Sequence, residues 1–167
     1  MMKRLTAFAL VCVLVASVLC ACGPAYADDV AAASLADRVK TAAPAKEGDA
    51  YVAASDAYLV AYFSSLDASV VADRAVLQSE SQTDFSEVGV FRAASAGDVK
   101  AVRKMVEDYL SLMQEYYADF LAMYNAEEVE KIQNASCKVY GTYVVYAFLT
   151  KSGQNAFFTA VRQDLVG

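Results

Sequence analysis

Histidine and tryptophan are absent from this 167-residue chain, which has only two prolines and four cysteines. Without histidine it lacks the side chain that ordinarily titrates near neutral pH, the usual base of a nucleophile triad and the commonest metal ligand. No G-x-S-x-G elbow, P-loop or G-x-G-x-x-G fingerprint occurs. Lys151-Ser152-Gly153 matches the third motif of serine β-lactamases by spelling, but no serine is followed three residues later by lysine and no Ser-Asp-Asn occurs. Nucleophile and base are both missing from that scheme, so Ser152 reads as the cap of a final helix. These absences assign no catalytic, cofactor-binding or metal-binding residue, and the chain reads as a non-enzyme.

One long hydrophobic run is present, and it is N-terminal. Met1-Met2-Lys3-Arg4 supplies a positive head and Leu5–Leu19 an apolar stretch, the layout of a secretory signal. Leu19-Cys20-Ala21-Cys22 resembles a bacterial lipobox, with an aliphatic residue three places before Cys22 and a small one just before it. Bulky Leu19 makes Cys20 the poorer modification site. Cys22 is therefore the candidate lipidation residue, carrying diacylglycerol and palmitate and holding the protein on the extracytoplasmic face of the cell membrane. A rival signal is Ala25-Tyr26-Ala27 before Asp28, which fits ordinary signal peptidase and would leave a freely secreted protein. An uncleaved membrane helix fits less well, because Leu5–Cys22 is 18 residues against the roughly 20 that span a bilayer.

Removing Met1–Ala21 leaves 146 residues, enough for one domain with its own core. The expected organisation is a signal peptide over 1–21, a lipid-anchored tether with a short helix over 22–48, and a single domain over 49–167. The 57% hydrophobic content and mean hydropathy of +0.31 are raised by the signal and by alanine. Net charge is -6 for the whole chain and near -8 without Lys3 and Arg4, which argues against a nucleic-acid partner. Cys12 and Cys20 leave with the signal and Cys22 is acylated or lost, so Cys137 has no intrachain disulfide partner and reads as a buried structural thiol.

Patterning predicts an α+β fold. Asp29–Ala43 is an alanine-rich helix candidate carrying Val30, Leu35 and Val39, stopped by Pro44–Gly48. Ser55 caps a helix bearing Tyr58, Leu59, Tyr62 and Phe63, and Asp67 caps another containing Val70 and Val71. Arg74–Ser81 and Glu87–Ala93 read as strands joined by a polar stretch around Gln82-Thr83-Asp84. After Ser95-Ala96-Gly97-Asp98, apolar residues from Val99 to Met123 recur at three- and four-residue spacing, predicting an amphipathic helix of roughly 25 residues. Its buried half includes Tyr109, Tyr116, Tyr117 and Tyr124, widened by Leu110, Met105 and Leu112. Asn125, with Glu128 three residues on, restarts a short helix to Gln133. Cys137–Tyr140 and Tyr143–Thr150 form a hairpin through Gly141-Thr142, and the second strand is apolar without alternation, so both its faces should be covered. A last helix holds Phe157, Phe158, Val161 and Leu165. The expected domain is ββαββα and two-layered: an antiparallel four-stranded sheet, one long amphipathic helix, and short N-terminal helices as a candidate cover for the other face.

The lipobox, the strand Glu87-Val88-Gly89-Val90-Phe91-Arg92-Ala93, the helix from Val99 and the turn and strand Gly141-Thr142-Tyr143-Val144-Val145 resemble a family of small bacterial lipoproteins, domain-of-unknown-function family 4358. The resemblance runs over roughly Ser55–Leu165 plus the signal. It implies an address and an architecture, and carries no activity to transfer.

Among individual features, Asn134-Ala135-Ser136 spells a glycosylation sequon that a bacterial signal makes uninformative. Asp28-Asp29 and Glu127-Glu128 with Glu130 read as solvated helix starts rather than a calcium loop. The eleven tyrosines, among them Tyr140, Tyr143 and Tyr146 on the hairpin, read as core residues whose hydroxyls reach the rim; an exposed row of them could instead bind glycans or peptides. The function expected is a non-enzymatic envelope module with a membrane partner through its lipid and an envelope protein or surface polymer as possible second partner. An enzyme of another kind would be a cell-wall or glycan hydrolase using Asp84 and Glu87 as its carboxylate pair. A small-ligand carrier is disfavoured by the room one compact domain leaves.

Overall fold

The computed structural model describes residues 25–63, 69–118, 123 and 125–166. The expected signal, the lipidation candidate Cys22, the Asp67 cap, Phe120 and Tyr124 lie outside the described residues. Five strands, β1 (Tyr51–Ala53), β2 (Val71–Ser79), β3 (Glu87–Ala93), β4 (Ser136–Tyr140) and β5 (Tyr143–Phe148), form one antiparallel sheet in the order β1-β2-β3-β5-β4. The helices are α1 (Ala32–Ala36), α2 (Val39–Ala42), α3 (Asp56–Tyr62), α4 (Val99–Ala118), α5 (Ala126–Gln133) and α6 (Lys151–Val166).

The α+β class, the antiparallel sheet and the long helix are as expected, while the four-stranded, two-layer expectation is corrected to five strands between helices on both faces. The added strand, β1, is three residues long and pairs only with β2, too short to carry a period-two signal. Central β5 is buried at all six positions, and its alternation splits the core in two. Tyr143, Val145 and Ala147 pack with Leu35 and Val39 of α1 and α2 and with Phe157, Phe158, Val161 and Leu165 of α6. Val144, Tyr146 and Phe148 pack with Leu59, Phe63, Val102, Val106, Tyr109, Leu110 and Ile132, which α3, α4 and α5 bring to the opposite face. Helices as short as α1 and α2 are not stable alone. Burying Leu35 and Val39 completely is worth about 1.5–3 kcal/mol each and holds them on the sheet. Tyr143 reinforces this by donating its hydroxyl to the Val30 carbonyl at 2.7 Å.

Several local expectations hold and others shift. Ser55 accepts from the Tyr58 N–H and Asn125 from the Glu128 N–H, as N-caps do. Gly141 takes φ +57° in the β4–β5 turn, the conformation that glycine tolerates. Val71 opens β2 opposite Ala93 instead of lying in a helix, because the β-branched pair Val70-Val71 extends the sheet; the Val70 carbonyl accepts from the Ala94 N–H. Ser152 lies inside α6, and Thr150 takes the capping role, its Oγ1 accepting the Gly153 N–H at 3.3 Å. Tyr116 is 63% exposed, and Leu112 and Met123 are also exposed, so the apolar stripe of α4 is wider than its contact. A 20-residue helix runs about 30 Å while a six-residue strand spans about 20 Å, so the last turns outrun the sheet that would cover them.

Gly89 is the tightest point of the packing. It sits directly across the ladder from Tyr146, and a Cβ there would come within 2.0 Å of the Tyr146 ring. That ring is clasped by Phe63, Phe91, Tyr109 and Phe148, so it has nowhere to move. Gly89→Ala should therefore cost about 1–3 kcal/mol, read as a lowered urea midpoint with loss of near-ultraviolet tyrosine dichroism. An unchanged midpoint would mean that the ring has free space beside it.

Candidate functional site

The register that packs Tyr146 over Gly89 also places an acid in the core. Glu87, Gly89 and Phe91 share one face of β3, so Glu87, 6% exposed, points into the layer beneath α4. Four donors meet its carboxylate. Tyr109 on α4 and Tyr146 on β5 donate to Oε1 at 2.7 and 2.5 Å, while Tyr58 on α3 and Gln78 on β2 donate to Oε2 at 2.7 Å each. The Tyr58 and Tyr109 hydroxyls also lie 2.5 Å apart, and with one proton each they share the carboxylate with one another: when one donates to the other, only that other donates to Glu87. Burial, then the neighbouring Glu87 charge, pushes the hydroxyls of Tyr58, Tyr109 and Tyr146 far above the ordinary tyrosine value, so they stay protonated donors.

A second buried network borders the first. Lys131 of α5, 3% exposed, contacts Asp84 at 2.6 Å and Glu128 at 2.9 Å. Glu128, 1% exposed, also accepts from the Phe85 N–H at 2.8 Å and from Lys46 at 3.0 Å. The expectation that Glu128 is a solvated helix-start acid is thus corrected: it turns inward, where Lys131 lies one helical turn away on the same side. Burial alone would push Asp84 up, but the Lys131 ammonium and the Ser86 hydroxyl and N–H outweigh it and hold the carboxyl below its usual value. Burial alone would lower Lys131, and its bonds to Asp84 and Glu128 hold it up instead.

Between α3, α4 and the segment joining β2 to β3 lies a cavity of about 220 Å³. Tyr58, Tyr62, Phe85, Tyr109, Met113 and Tyr117 form much of its wall, and Asp84 and Glu87 are the charged residues on it. The carboxylates named from sequence are thus brought to one cavity, each already committed to other partners. Tyr109 and Tyr146 are core residues with bonded hydroxyls, as the simpler reading had it. Tyr140 and Tyr143 serve the opposite core, Tyr140 donating to the Phe158 carbonyl. Sequence reasoning missed Tyr58 and Gln78 as ligands of Glu87, and the role of Lys131. The available signals were an acid on the core-facing register of β3 and the Glu128–Lys131 spacing. Cys137 is half-buried against the α4 core, and burial followed by Glu107 raises its thiol. Among the described residues, no group of three histidine, cysteine, aspartate or glutamate side chains is placed to hold a metal ion.

Removing one member of a buried ion cluster strands the others, so Lys131→Met should cost about 3–5 kcal/mol in denaturant unfolding. The pH dependence follows in sign. Because the folded value of Asp84 is depressed, its contribution is complete above about pH 4 and is lost as pH falls through the lower folded value. Because that of Lys131 is raised, its contribution is complete below about pH 10 and is lost only as pH rises past the folded value. In Lys131→Met the acid-side loss should flatten. An acid limb identical to that of the wild type would show that the ammonium does not hold Asp84 down.

No curated protein and no solved structure matches the chain. One family does: its model, described as Domain of unknown function (DUF4358), matches residues 52–149, from within β1 to just past β5, and so takes in β2 to β5, all but the first residue of β1, and both carboxylates. Covering more than half of the sequence, that match makes the chain a member of the DUF4358 family.

Proposed function

We propose that the protein is an exported, lipid-anchored, non-enzymatic module of the cell envelope, binding its ligand or partner at the tyrosine-walled cavity. The prior occupation of Glu87 by four donors carries the non-enzymatic reading. A glycan hydrolase needs one carboxyl to hold a proton for the leaving group and another free to face water or the sugar. Asp84 is held in its ionised form by Lys131, and both oxygens of Glu87 are enclosed by the donor groups of Tyr58, Gln78, Tyr109 and Tyr146. Preorganised, committed polar groups of this kind suit recognition.

Contacts at the start of the described chain favour Cys22 over the cut after Ala27. The Tyr26 ring packs 5.7 Å from that of Tyr140, and the Ala27 N–H donates to the Leu165 carbonyl at 2.8 Å. Cleavage after Ala27 would discard both contacts, whereas cleavage before Cys22 keeps them. Three residues, Gly23, Pro24 and Ala25, then separate the acylated cysteine from docked Tyr26, a reach of at most about 13 Å. Such a tether would hold the β4–β5 turn close to the bilayer, since Tyr26 packs against Gly141. Glu87 pairs with Phe148, at the other end of β5 from Tyr143, about 17 Å away, so the cavity would open away from the membrane.

Two measurements test this reading. Cys22→Ala should abolish labelling by radioactive palmitate and move the protein from the membrane fraction to the soluble fraction or stop its maturation. Retention with undiminished label would defeat the anchor. The wild-type protein should release no soluble fragments from purified cell wall, and release that disappears in Glu87→Gln would establish the hydrolase instead.

A further inference from the structure

Glu87 has no lysine or arginine partner among the described residues, and the undescribed positions between 64 and 124 contain neither residue type. The nearby cations, Lys46 and Lys131, are engaged with Glu128 and Asp84. The cavity beside Glu87 has no cation on its wall among the described residues: it is lined by the two carboxylates, several tyrosine and phenylalanine rings, Met113, Ile132 and uncharged polar groups. A wall of this composition repels phosphates and carboxylates. It also suits sugars poorly, because Tyr58, Gln78, Tyr109 and Tyr146 crowd both carboxylate oxygens that would accept from a diol.

From this arrangement we infer that the cavity binds an organic cation whose charge is carried by alkylated nitrogen, a quaternary ammonium head group. The inference rests on the binding-module reading above and names the ligand class for it. Such a cation supplies the counter-charge that Glu87 lacks. It needs no acceptor, which fits a carboxylate already crowded by four donor groups, and it is attracted to the faces of aromatic rings. A primary ammonium would instead lose hydrogen bonds to water that Glu87 cannot replace. The volume of about 220 Å³ suits a head group and falls below the roughly 300 Å³ at which drug-sized pockets begin. Tyr62, half-exposed and with its ring 4.6 Å from that of Tyr58 and 5.8 Å from that of Tyr109, lines the cavity where it can cover the bound cation.

Isothermal titration of the full chain in an uncharged polyoxyethylene detergent, at constant ionic strength, provides the test. The probes are tetramethylammonium and choline chlorides, with ethanolamine, sodium chloride and N-acetylglucosamine as comparators. The quaternary salts should saturate the protein at one site and bind at least fivefold more tightly than ethanolamine. Glu87→Gln should weaken them tenfold or more. Tyr62→Ala should weaken them severalfold while keeping a cooperative melting transition, and it decides the matter if Glu87→Gln does not fold. Failure of both quaternary salts to bind at about 10 mM, tenfold above a Kd of about 1 mM, would overturn the inference. So would equal affinity in Glu87→Gln, which would mean that the carboxyl contributes no charge. Saturable binding of N-acetylglucosamine alone would remove the cation while leaving the binding module in place.

Discussion

A carboxylate withdrawn from water costs several kcal/mol unless donors replace its hydration, and Glu87 draws its replacements from four different elements. Tyr58 commits α3, Tyr109 commits α4, Tyr146 commits β5 and Gln78 commits β2. Each bond needs a particular geometry around it. The Tyr146 ring reaches the carboxylate only because residue 89 has no side chain, and Gln78 reaches it because the β2–β3 register sets the two residues opposite each other. The layer beneath α4 is therefore organised around a charge as much as around apolar contact, and its alignment is more specific than burial of Val102 and Val106 would require.

The segment between β2 and β3 depends on the neighbouring network for the same reason. It contains neither glycine nor proline between Glu80 and Ser86, so no backbone preset holds it in place. Two anchors to α5 do so instead: the Asp84–Lys131 ion pair and the Phe85 N–H on Glu128. Lys46 reaches the same Glu128 from the segment before β1. Asp84 and Glu87, three residues apart, both line the cavity, so the two networks together fix its walls. Fixed walls with satisfied polar groups are what the proposed binding role asks for, whereas bond-breaking chemistry needs a group left free to change partners.

The architecture was legible wherever one residue's local chemistry decided it. Ser55 and Asn125 announced helix starts, Gly141 announced a turn, and the unbroken apolar run from Tyr143 to Phe148 announced a strand covered on both faces. Legibility failed where a short piece depended on its neighbours. Tyr51–Ala53 becomes a strand only because β2 offers an edge, and Val71 joins β2 rather than a helix because Ala93 lies across from it. Tyr116 looked buried by period, yet periodicity describes the helix and not the extent of the sheet beneath it.

The sequence by itself determined the absence of histidine, the acidic balance, an apolar run from Leu5 to Leu19 and an antiparallel α+β body. These follow from composition and local periodicity, which need no partner to be read. Tertiary structure alone decided which acids are buried and what surrounds them. Glu87 and Glu128 are spelled like any surface glutamate, and their burial rests on donors up to 59 and 82 positions away in the chain. A buried charge is tolerated only after those donors converge, and convergence is a property of the packed chain rather than of any stretch of it.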